Sequence, residues 1–116
     1  MSEDDTNLLE QIFENMLESG AHMTLLHPAE MTGGIYTINN TNVDEKCGLR
    51  IPNGCYPGLI RAIKVMVGLD PNTVDAEFTT NKFTKTVMDK QYVFQIIMEP
   101  TVRSDHLECV KIRRLE

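Results

Sequence analysis

The sequence predicts an α+β fold, an antiparallel sheet of about four to six strands with two main helices packed on one of its faces. Two stretches carry apolar residues at the 3.6-residue period of a helix, and the last third alternates with the two-residue period of strands. These signals come in contiguous blocks, whereas a parallel βαβ fold would alternate them one by one. The length of 116 residues favours one domain spanning residues 1–116.

Residues 3–18 predict the first helix, which is amphipathic. Its apolar residues recur one and four positions apart and form a single stripe. They are Leu8, Leu9, Ile12, Phe13, Met16 and Leu17. The glutamates of the segment fall on the opposite side. Such a stripe more often packs in a core, but it also suits a partner helix, with Leu9, Phe13 and Met16 as candidate contacts.

The next part predicts two short strands around a turn rich in asparagine. Residues 21–34 form a connector whose apolar residues either anchor it to the core or form a short strand. Residues 35–38 predict one strand and residues 46–51 another, and the asparagines between them favour a turn. The two strands either pair as a hairpin or loop around the start of the next helix.

Residues 53–72 predict a loop, the central helix and a closing turn, and the rest of the fold is arranged on this helix. Pro57 suits its first turn, where a missing N–H costs nothing, and Gly68 is placed to end it. One face is apolar at helical spacing. It consists of Leu59, Ile60, Ile63, Met66 and Val67. Arg61 and Lys64 are expected to point away from this face into solvent.

The C-terminal third predicts a meander of about four antiparallel strands. Alternation over residues 74–79 predicts a half-buried strand, and residues 83–88 predict a second. Residues 92–98 are the most apolar and are expected near the centre of the sheet. The last strand, residues 107–116, is expected at an open edge, where it can pair with another chain.

The charge distribution argues against a general nucleic-acid role. The net charge is −6, from 17 acidic and 11 basic residues. The first 20 residues hold six acids and no Lys or Arg, which leaves 11 acids and 11 bases in the rest. Nucleic-acid binding requires a basic surface to neutralise phosphates. The sequence also predicts no membrane span and no secretion signal.

Cysteine provides the best candidate nucleophile. The three cysteines form no C-x-x-C pair and are expected to be reduced thiols of a cytoplasmic protein. Cys55 precedes the central helix and is close in sequence to Arg50 and Arg61, and a helix N-terminus or a nearby cation lowers the pKa of a thiol. A capping or packed thiol is the commoner role of such a residue, so no catalytic residue is assigned.

Metal and cofactor binding have little support in the sequence. His106 and Cys109 have H-x-x-C spacing, and His22, His27, Cys47 and Cys55 add possible ligands. Structural zinc sites combine two such close pairs, and only one is present. No phosphate-binding loop, H-E-x-x-H or G-x-S-x-G motif occurs. We predict no metal and no cofactor.

The end of the last strand is a candidate interaction surface. Arg113 and Arg114, together with Lys111 and Arg103, are placed to meet a phosphate or an acidic partner surface. A solvated strand end is the commoner explanation of such a cluster.

Two resemblances rest on hydrophobic pattern within residues 47–115. The run CYPGLIRAIKVMV, with VDAEF and VKIRRLE, resembles the C-terminal half of the transport-particle and vinyl-reductase-type ligand-binding superfamily. The same run, with QYVFQIIMEP, is similar to the kinase-associated C-terminal domain, a helix on a small antiparallel sheet. The first family expects more helix before its first strand, and the second expects a closing helix. Both imply a non-catalytic role in assembly, membrane-surface docking or ligand sensing.

These observations favour a non-enzymatic protein-interaction or assembly module that is cytoplasmic and homodimeric. The alternative is a small-molecule or metal-binding sensor whose ligand pocket, between the central helix and the sheet, is lined by Ile63, Met66 and Met88. Methionine more often fills irregular gaps in a core than it binds ligands. An enzyme that depends on Cys55 is a third hypothesis.

Overall fold

The computed structural model describes residues 3–28, 32–39, 42–44, 49–101 and 108–115. This part contains two α-helices, a 3₁₀ turn and eight strands. In chain order they are α1 (Glu3–Glu18), β1 (Met23–Pro28), β2 (Thr32–Asn39), β3 (Asn42–Asp44), β4 (Arg50–Pro52), the 3₁₀ turn (Asn53–Cys55), α2 (Tyr56–Met66), β5 (Phe78–Thr79), β6 (Phe83–Val87), β7 (Lys90–Pro100) and β8 (Glu108–Leu115). The predicted α+β class is confirmed.

The strands form one antiparallel sheet in the order β3-β2-β1-β8-β7-β5, in which β4 also pairs with β2 and β6 with β7. β3 and β4 pair with successive parts of β2, and β5 and β6 pair with successive parts of β7. The strands before α2 thus form one meander and those after it form another. The two meanders join where β1 pairs with β8.

The apolar core lies between one face of the sheet and the two helices. The sheet contributes Leu26, Phe94, Ile96, Met98, Val110 and Ile112, and the helices contribute Leu9, Ile12, Phe13, Met16, Leu59, Ile60 and Ile63. The rings of Phe13 and Phe94 meet edge to face with their centroids 4.9 Å apart, a favoured aromatic geometry. Burying each large apolar side chain stabilises the fold by about 1.5–3 kcal/mol, so this interface fixes both helices on the same face.

Both helices form where the periodicity predicts them. Pro57 lies in the first turn of α2, and Gly20 and Gly68 follow α1 and α2 with φ angles of 73° and 86°, which glycine adopts without steric cost. The helices also approach closely, because a Cβ atom on Gly58 would lie 2.6 Å from the carboxylate oxygens of Asp5. Neither described helix is long and apolar enough to cross a membrane.

The strand prediction for residues 74–79 is wrong over most of its length. Only Phe78 and Thr79 of this segment lie in a strand. Val74 is 60% exposed, and Asp75 has a positive φ angle of 51°. The physical reason is that the Ala76 N–H donates a hydrogen bond to the Glu108 side chain, so it is unavailable for pairing with a neighbouring strand.

The prediction that the last strand is an open edge is also wrong. β8 pairs with β1 on one side and β7 on the other. Val110 and Ile112 are fully buried, as expected of a strand in the interior of the sheet. In the described part of the sheet, the edges are β3 with β4 and β5 with β6.

The remaining strand predictions agree with the structure where it can be compared. The connector includes a strand, β1, and the two predicted strands pair with each other, because β2 contains residues 35–38 and β4 contains residues 50 and 51. β3 was not predicted, because its first residue, Asn42, was assigned to the turn. β7 is paired on both sides, as expected of the most apolar strand. Residues 40–41 of the asparagine turn and 46–48 of the following strand prediction lie outside the described residues.

Candidate functional site

The sheet face opposite the helices is the first candidate surface, here called the outer face. Alternate residues of β1, β7 and β8 point to it, because their neighbours in sequence are buried on the helix side. Its described side chains include Met23, Leu25, Val93, Gln95, Ile97, Cys109, Lys111 and Arg113. The aliphatic members are half-buried, and none belongs to the core or packs against it. Both described helices pack on the other face, so neither covers this one.

Two cations lie at the centre of the outer face. The strand register places Lys111 between Leu25 and Ile97, and Arg113 beside Gln95. Arg113 is exposed, and its Nη1 atom lies 3.4 Å from Oε1 of Gln95. Within the described chain neither cation forms an ion pair. The outer face therefore combines a positive centre with aliphatic side chains on its flanks.

A second surface feature is a polar cleft of about 240 Å³ beside α1, here called the acidic cleft. Gln11, Glu14, Asn15, Glu18 and Leu49 line it. The four helical residues recur three and four positions apart, on the side of α1 opposite its buried stripe. The two glutamates make no ion pair with any residue that the structure describes. This cleft is therefore negatively charged and lies on the helix side of the sheet.

A third feature is an apolar cleft of about 350 Å³ at the end of α2. It is lined by Met66, Val67, Phe78, Thr80, Asn81, Lys82 and Phe83. Between β5 and β6, the three residues 80–82 lie opposite only two residues of β7, 95 and 96. The chain therefore bulges between these two edge strands. The Thr80 N–H donates to the Ile96 carbonyl and its Oγ1 accepts from the Ile96 N–H, both at 2.9 Å. These bonds hold the bulge open beside the helix.

A buried ion pair links α2 to β8. Nζ of Lys64 lies 2.8 Å from Oε2 of Glu108, and the side chains are 5% and 0% exposed. Oε2 also accepts a 2.8 Å hydrogen bond from the Ala76 N–H, and Lys64 donates to the Thr73 carbonyl. The pair therefore fixes the loop between α2 and β5 through two backbone groups. Oε1 of Glu108 is buried and has no hydrogen-bond partner among the described residues.

Tyr56 attaches the beginning of α2 to the same strand. Its hydroxyl donates a 2.7 Å hydrogen bond to the backbone carbonyl of Glu108. Burial raises the pKa of the Tyr56 phenol, and the negative charges of Cys109 and Glu108 raise this pKa further. The phenol therefore stays a neutral donor at physiological pH. Together with the ion pair, it forms a structural clamp that holds both ends of α2 on β8.

The candidate contacts of the first helix are core residues. Leu9, Phe13 and Met16 are 5%, 0% and 0% exposed, so their side chains are not accessible to a partner in the folded chain. This placement favours core packing over partner docking for the apolar stripe of α1.

The three predicted pocket residues are not brought together. Ile63 is fully buried in the core. Met66 lines the apolar cleft. Met88 is 47% exposed in the turn between β6 and β7 and does not line that cleft.

The two consecutive arginines of β8 point to opposite sides of the sheet. Arg113 lies on the outer face with Lys111, whereas Arg114 pairs in register with the buried Phe94. The guanidinium carbon of Arg114 lies 5.1 Å from the ring centroid of Tyr92, a cation–π distance. The predicted basic cluster is therefore divided, and its fourth member, Arg103, lies outside the described residues.

The described cysteines occupy different environments. Cys55 is the exposed N-cap residue of α2, and its side chain makes no capping hydrogen bond. Arg61 is exposed, while Cys47 and the Arg50 side chain lie outside the described part. Burial raises the pKa of the Cys109 thiol, and Glu99 raises it further, while Lys111 partly opposes them.

The described residues contain no group of three or more potential metal ligands. His22 is exposed and His27 is half-buried. His106, the partner of Cys109 in the H-x-x-C spacing, lies outside the described part.

The expectation that Lys64 points into solvent is wrong, and Glu108 was not predicted as a partner. Lys64 follows Ile63 and lies four positions after Ile60, so it belongs to the apolar stripe by spacing alone. Glu108 precedes Val110 and Ile112 at the two-residue period of a strand. The spacing therefore predicts burial at both positions. A buried lysine and a buried glutamate each need an opposite charge nearby, so the two could have been predicted to pair.

No protein-family model matches this chain, and no curated protein is detectably similar to it in sequence.

Proposed function

We propose that this chain is a non-enzymatic protein-interaction or assembly module that associates with a second copy of itself through the outer face. The observation that carries the proposal is the centre of this face, which neither described helix covers and where Leu25 and Ile97 flank Lys111, with Arg113 beside them on the same strand. Apolar side chains that stay outside the core lower the free energy when a partner covers them. Met and Arg are enriched in the interior of interfaces, and Met23 and Arg113 are neighbours on this face.

The position of β8 restricts how copies can associate. Because β8 is paired on both sides, its backbone cannot add a strand from another chain. Side chains of the outer face, not backbone hydrogen bonds of β8, therefore form the proposed contact. A homodimer is the smallest assembly that this contact allows.

Sedimentation velocity at increasing micromolar concentration tests the proposal. We expect the wild-type chain to sediment as a dimer or larger assembly and Ile97→Glu to dissociate it, because a carboxylate would be desolvated at the centre of the contact. Val74→Glu is the matched control, since Val74 is exposed at 60% in the loop between α2 and β5 and does not belong to the outer face. A wild-type chain that remains monomeric, or an assembly that Ile97→Glu leaves intact, would contradict the proposal.

The apolar cleft supports a second candidate, a small-molecule sensor. Its volume of about 350 Å³ is near the lower end of the range of roughly 300–1,000 Å³ that is typical of ligand pockets. Met66, Phe78 and Phe83 provide apolar walls, and Lys82 provides a cation at the rim. These groups suit a single aromatic ring that carries a carboxylate.

An NMR titration with benzoate tests this candidate. Binding is expected to shift the amide signals of Thr80 and Lys82. Val67→Phe would fill the cleft and abolish the shifts, whereas Val65→Phe would not, because Val65 is exposed on the same helix and does not line the cleft. Unchanged spectra at millimolar benzoate would rule out this ligand class.

A further inference from the structure

The outer face and the acidic cleft have opposite charges and lie on opposite sides of the sheet. The outer face presents Lys111 and Arg113 from the centre of the sheet. The acidic cleft presents Glu14 and Glu18 from the side of α1 opposite its buried stripe. Two copies in the same orientation can therefore meet with these surfaces in contact.

From this arrangement we infer that copies of the chain associate head to tail, with Lys111 and Arg113 of one copy entering the acidic cleft of the next. The inference rests on the proposed function, and it specifies which surface of the second copy covers the outer face. Since the contact is heterologous, it builds a ring if the rotation between copies closes and a filament if it does not.

The charges favour this contact over a symmetric one between two outer faces. In a two-fold dimer of outer faces, the Lys111 and Arg113 side chains of both copies would share one desolvated region, and like charges there repel. Only Glu99, at the end of β7, adds a negative charge among the described side chains of this face, beside Cys109. The head-to-tail contact instead places two cations against two carboxylates.

The composition of the chain supports the same contact. Residues 1–20 carry six acids and no Lys or Arg, which equals the whole net charge of −6. Of these acids, Glu10 is already paired with Lys85 at 2.7 Å. Glu14 and Glu18 form no ion pair within the described chain and line a cleft in which Leu49 provides an apolar wall. An arginine side chain, with its apolar stem and charged end, matches a cleft of this composition.

A pair of charge-reversal variants tests the inference by sedimentation velocity. Lys111→Glu/Arg113→Glu is expected to be monomeric, because its acidic outer face repels the acidic cleft. Glu14→Lys/Glu18→Lys is expected to be monomeric for the converse reason. An equimolar mixture is expected to assemble again, because each variant then meets a complementary surface on the other. Wild-type association is expected to weaken about tenfold or more between low and high salt, as screening of exposed charges requires.

Two controls separate this result from unfolding and from a general effect of charge. Lys82→Glu/Lys90→Glu changes the net charge by the same amount at exposed positions and should assemble like the wild type. Far-UV circular dichroism with thermal unfolding establishes that each variant is folded.

Assembly of Glu14→Lys/Glu18→Lys by itself, or an equimolar mixture that stays monomeric, would overturn the head-to-tail contact. If Ile97→Glu still dissociates the wild-type assembly in that case, the proposed function stands. A wild-type chain that never associates would contradict both the head-to-tail contact and the proposed function.

Discussion

The ammonium group of Lys64 lies 2.8 Å from the carboxylate of Glu108, and both side chains are almost completely buried. Because the two residues belong to α2 and β8, this ion pair connects the central helix to the middle of the sheet. It also fixes the intervening loop through the Ala76 N–H and the Thr73 carbonyl. A buried charge is tolerated only when it is paired, so the pair should be sensitive to loss of either partner.

We expect Lys64→Met and Glu108→Gln each to lower the free energy of unfolding by about 3–5 kcal/mol, since each leaves one buried charge without its counter-charge. The double variant should lose less than the sum of the two, because neither charge remains. Urea denaturation of the wild type, the two single variants and the double variant measures the coupling energy between Lys64 and Glu108. Additive losses would show that the two side chains do not stabilise each other.

The ion pair between Lys85 and Glu10 serves as a control for burial. It has a similar distance of 2.7 Å, but its side chains are 20% and 44% exposed. Solvent screens such a pair, so Glu10→Gln should cost no more than about 1 kcal/mol. A loss as large as that of Glu108→Gln would mean that burial does not determine the difference.

The helices and the fold class follow from the sequence because their signals are local. The apolar stripe of α1 and the positions of Pro57 and Gly68 lie within a few residues of the structure that they specify. The place of β8 in the sheet depends on pairing between residues far apart, such as Leu26 with Val110. An alternating pattern does not indicate which strands become neighbours. For this reason β8 was expected at an edge of the sheet, although it lies in the interior.

The candidate surfaces were predictable only in part. Arg113 and Lys111 were recognised as a basic cluster, but strand alternation separates Arg114 from them. The acidic side of α1 was visible in the sequence, whereas its cleft depends on Leu49, which belongs to a distant loop. The apolar cleft depends on a bulge at residues 80–82, which forms because β5 and β6 both pair with β7. Features that combine distant segments require the tertiary structure.

Stability at alkaline pH should depend on Tyr56. The folded-state pKa of its phenol is raised by burial, while the unfolded value is about 10. Below that pH both states are protonated and stability is unaffected. Above it only the unfolded state loses the proton, so the wild type should lose about 1.4 kcal/mol per pH unit relative to Tyr56→Phe.

Urea denaturation of wild type and Tyr56→Phe across this pH range checks the prediction. Near neutral pH the variant should be less stable by about 0.5–1.5 kcal/mol, because it lacks the hydrogen bond to the Glu108 carbonyl. The difference should shrink and then reverse as the pH rises above the unfolded value. A difference that stays constant would show that the phenol titrates normally in the folded protein.

The two described cysteines should differ in thiol reactivity. Cys55 is exposed, whereas burial raises the pKa of Cys109 and lowers its thiolate fraction. In a Cys47→Ser background at mildly alkaline pH, an aromatic disulfide reagent should modify Cys55 at least about tenfold faster than Cys109. Cys55→Ser should remove the fast phase, and urea should make the two rates similar. A single fast phase for both thiols in the native protein would contradict the assigned burial.

The close approach of Asp5 to Gly58 should determine the effect of a substitution in α2. Alanine has a higher helix propensity than glycine by about 0.8–1 kcal/mol, so Gly58→Ala alone would be expected to stabilise a free helix. Here the new Cβ atom would lie 2.6 Å from the Asp5 carboxylate, and the carboxylate would have to move. In an Asp5→Ala background this conflict is absent, so Gly58→Ala should stabilise there and be neutral or destabilising in the wild type. Urea denaturation of the wild type, the two single variants and the double variant measures the coupling between Asp5 and Gly58. An equal gain in the free energy of unfolding in both backgrounds would show that the two helices can separate without cost.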